Sequence, residues 1–288
     1  MIEKKKVLLT GSSGFTGIHL CEMLCHTGYE VAKLQSNLCD KAALAAEISN
    51  LRPSFVIHLG GMSFAGGSDH SKLYSVNVLG TQNLLAALAE IKSDVKKVIL
   101  ASSATVYGTQ NNIILDEKLE PRPVNHYGSS KFSMEIMASI YMKDLPIIIT
   151  RPFNYSGVGQ HEIFVIPKIV RAFANRDSAI ELGNLNVHRE FNDVRDVCAA
   201  YISLLEAPCR NEKVNICSGN PVSLAEVIML MESISGHHPE IKINQDFVRV
   251  NEIPMLVGSN ERLKRITGLT FKYSINQTLS WMYSISSQ

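Results

Sequence analysis

What most constrains the fold of this 288-residue chain is an alternation of two patterns along its first half. Short runs apolar on both faces, Val7-Leu-Leu-Thr10, Ser54-Phe-Val-Ile-His-Leu59, Val95-Lys-Lys-Val-Ile-Leu-Ala101 and Leu145-Pro-Ile-Ile-Ile-Thr150, are separated by stretches such as Ile18 to His26 and Val76 to Ile91, whose apolar residues recur at helical spacing. A strand without a polar face cannot keep one side in water. It belongs in a sheet covered on both sides, and strands joined through helices run parallel. The expectation is an α/β fold with a doubly wound parallel sheet of Rossmann type, its main domain spanning 1–152. Beyond Arg151 the alternation loosens, and Pro152, Gly157, Gly159, Pro167, Gly183, Pro208, Gly219, Pro221 and Pro254 punctuate shorter elements. Residues 153–288 therefore read mainly as a smaller C-terminal lobe, with a return to the sheet over about 185–220 whose strand is Val214-Asn-Ile-Cys217.

Bulk properties exclude several classes of function. A net charge of +1, with acids and bases interleaved, provides no basic stripe to neutralise a nucleic-acid backbone. Six cysteines, Cys21, Cys25, Cys39, Cys198, Cys209 and Cys217, form no Cys-x-x-Cys pair and no disulfide framework, so reduced thiols in a cytoplasmic protein are expected. Met1 to Lys6 is charged and leads straight into a short strand, unlike a signal peptide, and no apolar run reaches the roughly 18 residues that span a bilayer. None of the nine histidines forms a His-x-x-x-His pair on a predicted helix, and His237-His238 lies in a turn, so no metal is expected.

Gly11-Ser-Ser-Gly14-Phe-Thr-Gly17 follows the first strand and opens the first helix. In that setting the first glycine permits a tight turn, the second lets backbone approach a pyrophosphate, and the third lets helix and strand pack closely, with the anion on the helix N-terminus. The pattern points to a dinucleotide. Such folds often close the second strand, here Tyr29 to Leu34, with an acid for the ribose 2′-hydroxyl of NAD, yet Gln35-Ser36-Asn37 follows. No arginine awaits a 2′-phosphate either. Lys33 tilts the choice toward NADP without excluding NAD, and Asp40 is placed equally well on the adenine edge or as cap of the helix from Lys41.

Tyr127-Gly-Ser-Ser-Lys131 sets a phenol and an ammonium on one face of a helix predicted to run through Met142. A tyrosine ionises near pH 10, and a proton-transfer catalyst works best nearer 7, a gap of roughly 4 kcal/mol that a fixed ammonium and an oxidised nicotinamide would help to close. Ser102 and Ser103 lie just before, in Ala101-Ser-Ser-Ala-Thr-Val-Tyr-Gly108, at the carboxyl end of a strand where α/β sheets bind ligands. Ser103 is placed to hydrogen-bond the same substrate oxygen as Tyr127.

In this order the motifs resemble those of the extended short-chain dehydrogenases called the NAD-dependent epimerase/dehydratase family, along nearly the whole chain. Thr10-Gly-Ser-Ser-Gly-Phe-Thr-Gly17 resembles the cofactor fingerprint, His58-Leu-Gly-Gly61 the loop behind the cofactor, and Asn77 the asparagine of the next helix. The resemblance implies a catalytic set of Ser103, Tyr127 and Lys131. It implies a cofactor site of Gly11, Gly14, Phe15, Thr16, Gly17, Asp40, Leu59, Gly60, Gly61, Asn77, Ser102, Tyr127, Lys131 and Pro152. Arg151-Pro-Phe-Asn-Tyr-Ser-Gly-Val-Gly-Gln160, Phe164-Val-Ile-Pro167, Gly183 to Asp196 and Asn215-Ile-Cys-Ser-Gly219 are similar to enzymes handling GDP-6-deoxy-4-keto-mannose, its reductases in particular. That similarity implies a nucleotide-sugar substrate, GDP-linked, on Asn154, Val165, Arg189 and Arg249, and arginine forks do suit phosphate oxygens.

The departures narrow the chemistry. Sugar 4,6-dehydratases carry an acid just after the catalytic hydroxyl, where this chain has Ala104 and Thr105, and neither can act as acid or base at neutral pH. The expectation is hydride transfer from NAD(P)H to the 4-keto group of a nucleotide-linked 6-deoxyhexose, with Tyr127 as proton donor. A 4-epimerase with bound NAD is the alternative kept open by the Ser-Ala-Thr-Val-Tyr-Gly turn, and a non-catalytic NAD(P)-binding interaction protein is a rival of another class. The resemblance also implies a homodimer joined through helices within Val76 to Ile91 and Lys131 to Met142.

Overall fold

A computed structural model describes residues 5–63, 69–110, 114–247 and 255–287. Its main sheet comprises β1 (Lys6–Thr10), β2 (Glu30–Lys33), β3 (Phe55–His58), β4 (Lys97–Ala101) and β5 (Ile147–Pro152), with a late strand, Glu212–Ile216, labelled β10 below. The order is β10-β5-β4-β3-β1-β2, every neighbouring pair parallel. Strand residues alternate between two cores, as the two-residue period of a pleated strand requires. Val7, Leu9, Ile57 and Ile148 pack beneath α1 (Phe15–His26) and α7 (Val194–Glu206). Leu8, Val56, Ile147 and Ile149 pack on the opposite face, beneath α2 (Lys41–Leu51), α4 (Thr81–Glu90) and α5 (His126–Ser139). This two-sided burial is what left the strands without a polar face.

From β1 the chain leaves through α1 to β2 on one side, then crosses through α2 to β3 on the other. The crevice beyond the carboxyl ends of β1 and β3 is thus the topological switch point at which such sheets bind ligands.

The remaining elements are α3 (His70–Tyr74), β6 (Tyr155–Ser156), α6 (Val165–Asn175), β7 (Ala179–Leu182), β8 (His188–Arg189), β9 (Asn192–Asp193), β11 (Val222–Ser223), α8 (Leu224–Ser235), β12 (Glu240–Ile243), β13 (Met255–Leu256), α9 (Glu261–Thr267) and α10 (Ile275–Ser286). A third core joins α6, α8 and α10 through Ile169, Phe173, Val227, Met231 and Leu279. Among the described residues no helix is long and apolar enough to cross a membrane.

Two helices differ from their sequence expectation. Val76 to Ile91 is not one α-helix, because a π turn over Ser75–Gly80 precedes α4. Such one-turn widenings cluster at functional sites, and this one holds Asn77. The helix bearing Tyr127 stops at Ser139 rather than Met142, as the amides of Ile140, Tyr141 and Met142 bond back three residues and tighten the chain into turns.

Candidate active site

The glycine turn is built for close approach. Gly11 lies in the left-handed region at φ +67°, and a Cβ there would stand 2.8 Å from the amide nitrogen of Gly60. A Cβ on Gly17 would stand 2.1 Å from the carbonyl oxygen of Gly11, so helix and turn touch only because the third glycine has no side chain. Gly14 is the N-cap of α1 and brings no side chain to its first-turn amides, which leaves that positive end for an anion. These features fit the diphosphate of a dinucleotide. Phe15 opens α1 and stacks on Tyr155 at 6.0 Å, while the Thr16 hydroxyl lies 2.7 Å from the Tyr155 hydroxyl, tying the helix start to β6. Asp40 is the N-cap of α2 and accepts from the Ala43 amide at 3.0 Å, the capping half of its two expected roles.

A buried relay fixes the facing loop. Gly60 N–H donates to Thr10 Oγ1 at 2.9 Å, and Thr10 Oγ1 lies 2.7 Å from His58 Nδ1. His58 Nε2 is 2.9 Å from Thr81 Oγ1, which donates to the Asn77 carbonyl at 2.8 Å. Because Thr81 spends its proton on Asn77, His58 must donate from Nε2 and accept at Nδ1. Burial, with help from the Lys131 charge, lowers this imidazole to about 3 and keeps it neutral, as the relay needs. Asn77 accepts from the Met62 amide at 2.8 Å and donates to Ser130 Oγ at 3.0 Å, clamping the Leu59-Gly60-Gly61 loop to α5. A Cβ on Gly61 would meet Asn77 Oδ1 at 2.8 Å and Lys131 Nζ at 3.3 Å, so loop, asparagine and lysine converge.

The Asn125 side chain caps α5 by accepting from Gly128 N–H at 2.8 Å, and Tyr127, Lys131 and Glu135 follow at one-turn intervals. Ser103 accepts from the amide and hydroxyl of Thr105 at 3.2 and 2.9 Å, which leaves its own proton for Tyr127. Lys131 is buried, donates to the Ala101 carbonyl at 2.9 Å, and is lowered to about 8 by burial, against the opposing pull of Glu135. The sequence expectation that Lys131 depresses Tyr127 needs correction here. Burial raises the phenol, the opposing effect is the Ser103 hydrogen bond, and the lysine proton is directed at a main-chain carbonyl.

Glu135 had no assigned role in the sequence. It is buried, accepts from Arg151 Nε and Nη2 at 2.9 and 2.6 Å, and accepts from Ser102 Oγ at 2.6 Å. Arg151 lies over the Tyr107 ring at 4.8 Å, and Pro152 ends β5 beside Ile216. The signal available was the spacing of Glu135, the single acid of its helix, one turn beyond Lys131.

The expected substrate residues are more dispersed. Asn154 is exposed, and its carbonyl accepts from the amide and side chain of Asn192 at 2.9 and 3.0 Å, which joins the end of β5 to β9. Val165 is the first residue of α6, and Arg189 in β8 donates to the His188 carbonyl at 2.8 Å. Next to Arg189, buried Glu190 accepts from the amides of Ser218, Gly219 and Gly258 at 2.7, 3.0 and 2.7 Å, stapling three segments together. Arg249 lies outside the described residues. His161 accepts from the Ile163 amide at 3.1 Å, a turn contact.

The sequence profile of the NAD dependent epimerase/dehydratase family matches residues 7–217. The chain belongs to that family. A GDP-6-deoxy-D-talose 4-dehydrogenase of Aggregatibacter actinomycetemcomitans is 35% identical over 96% of this chain and 97% of the relative. A GDP-6-deoxy-D-mannose reductase of Pseudomonas aeruginosa is 32% identical over 96% and 95% of the two chains. The solved structure of RMD from Pseudomonas aeruginosa with NADPH superimposes with a TM-score of 0.89 at 30% identity, covering 99% of this chain and 98% of that one. The family cofactor is NAD or NADP, and the glycine cradle and bare N-terminus of α1 fit it.

Proposed function

We propose that this family member reduces the 4-keto group of a nucleotide-linked 6-deoxyhexose, GDP-6-deoxy-4-keto-mannose in type. The observation that carries the reading is that Lys131 and Asn77 meet at Gly61, on the glycine loop, while Ser103 pairs with the phenol of Tyr127 one helix turn before Lys131. When bound, the reduced nicotinamide supplies a hydride to the carbonyl carbon. Tyr127 gives its proton to the carbonyl oxygen, and Ser103 holds that oxygen by the hydrogen bond it otherwise directs at the phenol. Burial keeps Tyr127 protonated before reaction, as a proton donor requires. Lys131, lowered to about 8, stays largely protonated at neutral pH one helix turn from Tyr127. Two relatives support the substrate class, since one is named for a GDP-6-deoxy-talose and the other for a GDP-6-deoxy-mannose. These sugars differ in configuration at carbon 4, where the hydride would arrive. Elimination is disfavoured because Ala104 is a buried methyl and Thr105 is engaged with Ser103. Asn154, Val165, Arg189 and Arg249 remain the residues proposed for the nucleotide sugar.

The test is to mix the protein with GDP-6-deoxy-4-keto-mannose and NADPH or NADH, following nicotinamide absorbance and identifying the sugar product. Stoichiometric oxidation is expected, and Tyr127→Phe should lose turnover while still binding dinucleotide. No oxidation, with interconversion of 4-epimeric nucleotide sugars on bound NAD, would make the protein an epimerase instead.

A homodimer accompanies this reading. Leu79, Ile136 and Ile140 are apolar yet 54%, 56% and 64% exposed, on the π turn and on α5 with its following turn. Sedimentation should give a dimer that Ile136→Glu dissociates, and a monomeric wild-type protein would rule it out.

A further inference from the structure

At the end of β2 the structure supplies the acid that the local sequence lacks. Glu47, in the second turn of α2, accepts from the backbone amide of Gln35 at 2.9 Å through one carboxylate oxygen and from that of Ser36 at 2.8 Å through the other. Two consecutive amides converging on one carboxylate make the kind of concavity in which backbone binds an anion. Here the protein's own side chain fills it. Burial works against its charge, but the Ser36 hydroxyl and the two amides outweigh it and hold the carboxyl below its ordinary value, so it is ionised at neutral pH.

The position matters because the residues closing the second strand of a dinucleotide fold face the adenosine ribose, whose 2′-oxygen is bare in NAD and phosphorylated in NADP. A 2′-phosphate would need donors at this loop, and two of its amides are already committed to an anion. Lys33, the cation that tilted the sequence toward NADP, is turned elsewhere. Its ammonium interacts with Cys21 of α1, on the opposite face of the sheet from α2.

We infer that Glu47 is a specificity-determining residue that reads the ribose 2′-position, accepting the hydroxyl of NAD and rejecting the phosphate of NADP, although it reaches the site from a helix. The inference rests on the dinucleotide being the cofactor. It goes beyond the choice between NAD and NADP that the family leaves open.

The experiment measures dissociation constants of NAD+ and NADP+ for the full chain by titration calorimetry, without sugar substrate, in the wild type, Glu47→Gln and Glu47→Asp. The wild type is expected to bind NAD+ more tightly. Glu47→Gln should narrow that preference about tenfold, chiefly by improved NADP+ binding, because a like charge next to the phosphate is removed. Glu47→Asp keeps the charge and should keep the preference, which separates charge from mere support of the loop. An NADP+ preference in the wild type, or an unchanged ratio in Glu47→Gln, would overturn the inference and leave the proposed reductase chemistry standing. Failure of the wild type to bind either dinucleotide would overturn the cofactor reading, and this inference with it.

Discussion

Replacing Lys131 by methionine should separate the stability of the fold from its chemistry in a pH-dependent way. Lys131 is 7% exposed, and its ammonium is lowered from 10.5 to about 8 chiefly by burial. Between those values the unfolded chain binds a proton that the folded chain does not, so wild-type stability rises with pH across that window. The full effect, at 1.36 kcal/mol per pH unit, is roughly 3 kcal/mol, of which roughly 2 kcal/mol falls between about pH 7.5 and about pH 10. Methionine fills similar volume without a titrating group. At neutral pH the buried charge counts against the wild type, while the variant loses the hydrogen bond to the Ala101 carbonyl, a net loss of about 1 kcal/mol. The wild type should therefore gain on Lys131→Met as pH rises, and the variant should have lost turnover throughout. Urea unfolding followed by the fluorescence of Trp281 measures both proteins. Stability curves that run parallel between pH 7.5 and 10 would refute the reasoning, because they would mean that the ammonium is not strained in the fold.

Glu135→Gln leaves Arg151 buried without its countercharge and should cost about 3–5 kcal/mol, whereas adding Arg151→Met should restore part of that loss. Unfolding midpoints of the single and double variants check this, with an unimproved double variant as the contrary result. Gly17→Ala would set a methyl 2.1 Å from the Gly11 carbonyl oxygen and should abolish dinucleotide binding or folding. Calorimetric titration and a thermal melt would show which, and wild-type behaviour in both would count against the close packing of turn and helix.

The residues proposed for catalysis and for the cofactor were nameable from the sequence because each motif is short and each spacing local. Tyr127 and Lys131 share a helix face by the 3.6-residue period, and Gly11, Gly14 and Gly17 share one turn. The two-sided strands likewise announced a covered parallel sheet. Partners far apart in sequence were not legible. Glu135 acquires its meaning only when β5 brings Arg151 beside it, and the tautomer of His58 follows only from Thr10 and Thr81 on either side. Missing an acid at the end of β2 has the same cause, since Glu47 enters that loop from the second turn of α2. The raised phenol of Tyr127 depends on how far the folded chain strips water from it, which no residue spacing encodes. The sequence by itself determined the periodicities, the turn chemistry and the list of reactive groups, because these are set by neighbours along the chain. Tertiary structure alone decided which charges face each other and how much water they keep, because both depend on segments that meet only once the sheet has formed.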